Sequence, residues 1–102
     1  MKKIIYFFLI STCFSFSQSS IDWGNLQWPE YCNNSSSCTF YAQVYKAGVT
    51  PGNHDQINAW IGYSNSNTNP NTDNGSWTWV SASDNGTIGN NNEYTATLTP
   101  PN

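Results

Sequence analysis

Between Thr39 and Lys46 the chain alternates without a break: Phe40, Ala42 and Val44 take one parity, Tyr41, Gln43 and Tyr45 the other. A period of two puts successive side chains on opposite faces of an extended strand, so this stretch reads as a strand with one buried face. The rhythm returns in Ile57, Ala59, Ile61 and Tyr63, set against Asn58, Trp60, Gly62 and Ser64. It returns again in Tyr94, Ala96 and Leu98 against Thr95, Thr97 and Thr99. Trp77 to Ala82 supplies another strand and Asn25 to Trp28 a short opening one. No helical period of 3.6 follows residue 17.

The connections are turn material. Gly48-Val49-Thr50-Pro51-Gly52, the long stretch from Ser64 through Ser76, and Ser83 through Asn92 are rich in Asn, Asp, Gly and Ser. These residues tolerate left-handed backbone or bond their own main chain, and so break strands. Several short strands with such turns predict an all-β fold, a sandwich of immunoglobulin or fibronectin type III character. Such sandwiches usually need about seven strands, and only five are legible here. The expectation is therefore an incomplete sandwich lacking its last hairpin, with a naturally smaller sheet as the alternative.

The first residues have a different logic. Lys2 and Lys3 precede the apolar run Ile4 to Ile10, and small and polar residues follow up to Ser17. This is the layout of a secretory signal peptide, expected to be helical, spanning 1–17 and cut near Ser17. The run is well short of the roughly 20 residues a transmembrane helix needs. Ile10-Ser11-Thr12-Cys13 loosely imitates a lipoprotein cleavage site, which would lipidate Cys13, although the leader would then be unusually short. The domain proper is expected over 18–102, secreted or in the cell envelope, with no membrane attachment after cleavage.

Charge and cysteine usage narrow the chemistry. Beyond the leader six carboxylates face Lys46 alone, with one histidine and no arginine. Nucleic acid is excluded as a partner, because phosphate binding needs clustered basic side chains. Enzymes recruit His, Arg and Lys for proton transfer and anion binding, and that toolkit is nearly empty. His54-Asp55 has no identifiable nucleophile, so no catalytic residue is assigned. Cys32 and Cys38 flank a polar run in a chain bound for an oxidising compartment, which predicts a disulfide. No metal or other cofactor is expected. One His and two Cys cannot assemble a zinc site, and Asn69 to Gly75 fails the calcium-loop register. A looser arrangement of Asp84, Asn85 and Glu93 is the remaining calcium alternative.

Trp60 lies on the polar parity of its strand, and Trp77 and Trp79 share one parity of the next. If the two strands pair, the three indoles form a cross-strand patch suited to stacking on sugar faces. The competing assignment puts Trp79 in the core, Trp77 over a sheet edge and Trp60 over backbone.

Three segments together, Asn25-Leu26-Gln27-Trp28-Pro29, Tyr41 to Thr50 and Ile57 to Ser64, with Gly89 to Ala96 after them, resemble a domain of secreted Bacteroidetes proteins. Many of those proteins are exported by the type IX system. The resemblance covers nearly all of the chain beyond the leader. It implies a non-catalytic, immunoglobulin-like accessory module, a spacer or interaction domain. The Cys32–Cys38 loop and the lack of the expected last hairpin after Leu98 depart from that pattern, and no sorting domain is read in residues 1–102. The expected functions are thus an interaction module, recruiting a protein partner through an open sheet edge, or a carbohydrate-binding module using Trp60, Trp77 and Trp79.

Overall fold

A computed structural model describes residues 4–11, 20–29, 31–33 and 35–101, the first of these segments by its backbone. The expected cleavage region near Ser17, and Cys13, lie outside the described residues. Among the described residues there are seven strands: β1 (Ile4–Ser11), β2 (Trp23–Trp28), β3 (Cys38–Tyr45), β4 (Ile57–Ser64), β5 (Trp77–Ser81), β6 (Ser83–Ile88) and β7 (Asn91–Leu98). Short 3-10 turns at His54–Gln56 and Asn74–Ser76 lead into β4 and β5.

The strands form two antiparallel sheets, ordered β1-β4-β5 and β2-β3-β7-β6. The core lies between them. Phe40, Ala42 and Val44 from β3 meet Ile57, Ala59 and Ile61 from β4, and Tyr94, Ala96 and Leu98 from β7, all of them buried. These are the residues the alternation marks as inward, and their register explains why. In β3 and β7, Phe40 pairs with Ala96, Ala42 with Tyr94 and Cys38 with Leu98, so small residues sit beside large ones on one face. Such cross-strand pairing lets large and small side chains interdigitate. Phe40, Ile61 and Leu98 share one cluster with Cys32, while Val44, Ile57, Ala59 and Tyr94 form a second.

The structure corrects two expectations. Ile4–Ser11 is a strand, not a helix: it runs antiparallel to β4 through eight consecutive pairs, from Ile4 opposite Ser64 to Ser11 opposite Ile57. The run is built from Ile, Phe, Tyr and Leu, and β-branched and aromatic residues suit a pleated, half-buried surface. The second correction concerns Ser83–Asn92, expected as a connection. It holds β6, the turn at Gly89-Asn90 and the start of β7. All six β6 residues are exposed, so no alternation announces the strand. A bulge between Asp84 and Thr87 lets Gly86 adopt φ 89°, where glycine is at home, and the Gly86 N–H donates to Asp84 Oδ1 at 2.7 Å.

Cys32 and Cys38 are joined by a disulfide with Cα atoms 6.1 Å apart. It anchors the loop before β3 to the core through Cys32, and the Ser35 N–H donates to Pro100 O at 2.7 Å. At the other end of the sandwich, buried Asn92 works as a clip: its Oδ1 accepts from Gly52 N–H at 2.8 Å and its Nδ2 donates to Gly52 O at 2.7 Å. That pair ties the β3–β4 connection to β7 and satisfies both polar groups of the buried Asn92 amide.

Candidate functional site

The β4–β5 register pairs Trp60 with Ser81, Gly62 with Trp79 and Ser64 with Trp77. Directly opposed residues share a face, so the three indoles lie on the outer face, opposite the one that buries Ile57, Ala59 and Ile61. They are not equally open. Trp77 is only 6% exposed, while Trp60 and Trp79 are half-buried. The Trp77 and Trp79 rings stack with centroids 5.7 Å apart, and Trp79 Nε1 donates to Asn74 Oδ1. The Trp79 ring covers Gly62 so closely that a Cβ there would meet Cε3 at 2.4 Å. Much of this aromatic surface therefore packs on its own strands and on the loop before β5.

The open aromatic surface is on the other sheet. Trp23 is 45% exposed and Trp28 58% exposed. The β2–β3 register sets Trp23 opposite Tyr45, Asn25 opposite Gln43 and Trp28 opposite Tyr41. Trp28 and Tyr41 stack with ring centroids 4.5 Å apart. Because Phe40, Ala42 and Val44 point into the core, Tyr41, Gln43 and Tyr45 lie on the solvent side of β3. The result is two aromatic pairs flanking an amide pair, with Tyr41 and Tyr45 about 13 Å apart along the strand at ~3.3 Å per residue.

Polar groups continue this face across the sheet. Asn91 Nδ2 donates to Gln43 Oε1 at 3.0 Å and Asn85 Nδ2 to Glu93 Oε1 at 2.6 Å. Thr39 and Thr97 bond through their hydroxyls at 2.9 Å. Amides and hydroxyls held beside exposed rings can stack an apolar ring face and hydrogen-bond its substituents, as a polyol ligand requires. Tyr41 and Tyr45 are visible in the sequence as the outward parity of their strand. What no local pattern reveals is that β2 pairs with β3 in the register that completes each tyrosine with a tryptophan.

Ionisable groups are arranged as follows. His54 Nδ1 lies 2.9 Å from Asp84 Oδ1, at ion-pair distance but without hydrogen-bond alignment, and its ring meets Tyr94 edge-on with centroids 5.7 Å apart. The sequence neighbour Asp55 is thus not the carboxylate His54 contacts here. Burial, with smaller contributions from the Asp84 and Asp55 charges, pushes the Tyr94 hydroxyl above its ordinary value of 10.0, against a bond from Asn92 that pulls it down. Lys46 Nζ approaches Asp22 Oδ2 at 3.9 Å. Among the described residues no group of three or more His, Cys, Asp or Glu could hold a metal ion. Among the described residues no helix is long and apolar enough to cross a membrane.

No protein-family model, curated protein or solved structure matches the chain.

Proposed function

We propose that this chain is an exported, non-catalytic β-sandwich module of immunoglobulin-like type that acts by binding. The sheet order supports the type: β2-β3-β7-β6 corresponds to strands A-B-E-D of the immunoglobulin plan, and β4 with β5 to the beginning of the opposite sheet. The Cys32–Cys38 disulfide fits an oxidising, extracytoplasmic location. The observation that carries the binding assignment is the exposed face of β2 and β3, where Trp28 stacks on Tyr41 and Trp23 stands opposite Tyr45. Large exposed rings on a rigid sheet are what binding surfaces present and what a mere spacer has no need of.

Within binding, the geometry favours a glycan. The ligand surface moves from Trp60, Trp77 and Trp79 to Trp23, Trp28, Tyr41 and Tyr45, because Trp77 is buried and Trp79 covers Gly62. Affinity electrophoresis against a panel of polysaccharides tests this. Trp28→Ala is expected to weaken retardation at least about tenfold, the loss of one good stacking contact. Trp60→Ala is expected to leave it unchanged. Equal effects of the two substitutions, or no retardation by any glycan, would remove the carbohydrate reading. Turnover of ester, glycoside or peptide substrates that disappears in His54→Ala would remove the non-catalytic one. N-terminal sequencing of the exported chain is expected to start near Gln18.

A further inference from the structure

The outer face of β2 and β3 is spaced as well as aromatic. Trp23 stands opposite Tyr45, Asn25 opposite Gln43 and Trp28 opposite Tyr41. One row thus has a pair of rings at each end and an amide pair between them, the ends separated by about 13 Å at ~3.3 Å per residue. In the middle of the row β7 adds Glu93, which pairs with Gln43 on the same face. The bond between the Asn91 and Gln43 amides uses one end of each side chain and leaves the other ends, one donor and one acceptor, for a bound molecule. The charge around the row is negative. Glu93 lies within it and Asp22 precedes Trp23, while Lys46 Nζ already stands 3.9 Å from Asp22 Oδ2. A repeated ring platform with hydrogen-bonding groups between suits a ligand that itself repeats. At bond lengths near 1.5 Å a six-membered sugar ring joined through two of its carbons advances roughly 4–5 Å along a chain, so the platforms are about three sugar steps apart.

We infer that the β2–β3 face is a two-platform site for the interior of a neutral, extended glycan of about four or more sugars, stacked on Trp28 and Tyr41 at one end of the row and on Trp23 and Tyr45 at the other. The inference rests on the glycan reading above and adds to it the length, the charge and the mode of attachment of the ligand. A single sugar or a disaccharide covers one platform only and is held weakly. A chain seated on one platform offers its following sugars to the other at high effective concentration, so affinity rises once both are spanned. Rings and amides presented along a row meet the body of a chain and not its end. Uronate or sulfate groups on the ligand would face Glu93 and Asp22 with no free cation beside them, and are disfavoured by like-charge repulsion. The Trp28 ring, stacked on Tyr41 with centroids 4.5 Å apart, is already ordered and loses little side-chain freedom on binding.

The test titrates the full chain, by calorimetry and tryptophan fluorescence, with di- to hexasaccharides prepared from the polysaccharide that retards it most. The tetrasaccharide is expected to bind about tenfold or more tightly than the disaccharide, with little further gain for the hexasaccharide. Trp23→Thr, which keeps a strand-forming residue, and Trp28→Ala should each reduce that ratio to less than about threefold while the far-ultraviolet circular dichroism stays that of the wild type. Reducing the end sugar of the hexasaccharide to its open alditol should change affinity less than about threefold, because the interior is what binds. Affinity independent of length, a ratio that survives in both variants, loss of binding on opening the end sugar, or retardation by uronate or sulfated polysaccharides alone would each overturn the inference and leave the glycan reading standing. No binding to any glycan would remove that reading, and the inference with it.

Discussion

Gly62→Ala isolates one close contact whose magnitude can be worked from the structure. A Cβ at position 62 would lie 2.4, 2.6 and 2.8 Å from Cε3, Cζ3 and Cδ2 of Trp79. Carbon atoms in contact prefer about 3.5–4.0 Å, so the indole must retreat by roughly 1 Å. It is held from retreating by the stacked Trp77 ring and by the bond from its Nε1 to Asn74. Overpacking of this kind costs about 1–3 kcal/mol. Alanine also removes conformational freedom from the unfolded chain, which returns about 0.4–1 kcal/mol where the native backbone suits it. The expected net loss is about 1–2 kcal/mol, or roughly 5–15 °C in melting temperature at ~4–8 °C per kcal/mol for a domain of this size. Urea unfolding monitored by far-ultraviolet circular dichroism, with an unchanged slope, measures it. The decisive comparison is a double-mutant cycle: in a Trp79→Ala background the obstruction is gone, and Gly62→Ala should become neutral or slightly stabilising. An equal loss in both backgrounds would refute the argument, since the cost would then lie in the backbone and not in the ring.

Other perturbations have equally definite outcomes. Asn92→Ala leaves the N–H and C=O of half-buried Gly52 without their side-chain partner and should cost about 1–3 kcal/mol, with faster amide exchange at Gly52 as its local signature. Reduction of Cys32–Cys38, or replacement of both by Ala, should cost about 2–3 kcal/mol in the chain-entropy treatment of a loop this short, measured as the difference between oxidised and reduced unfolding curves. The folded chain holds the Tyr94 proton more tightly than the unfolded chain does, so that contribution to stability is complete below about pH 10 and is lost as pH rises through the higher folded value. Tyr94→Phe should flatten the decline in stability above pH 10, and a decline identical to wild type would show that the hydroxyl does not govern it.

How much of this was readable in advance depends on what each strand buries. β3, β4 and β7 each give one face to the core, so alternation at Phe40–Val44, Ile57–Ile61 and Tyr94–Leu98 declares both the strand and its inward side. β6 buries nothing and exists because β7 offers it a hydrogen-bonding edge; a run of Asn, Asp and Gly cannot announce that. β1 shows the reverse failure. Its hydrophobicity is plain, but a uniformly apolar run fits a helical leader and a buried strand equally well, and the choice falls to the edge that receives it.

The order of residues already requires extended segments to stack around Phe40, Ile61 and Leu98, because a period of two survives in it. It also made a short covalent loop available at Cys32 and Cys38. Tertiary structure alone decided which strands became neighbours, and with that the address of each exposed ring. Trp28 meets Tyr41 across a β2–β3 register, and Trp77 disappears beneath its surroundings although its parity is the same as that of Trp79. Parity is a local property that each residue carries along the chain. Pairing joins segments far apart in the chain, and its register is set by the summed burial of whole faces, a quantity that no single segment contains.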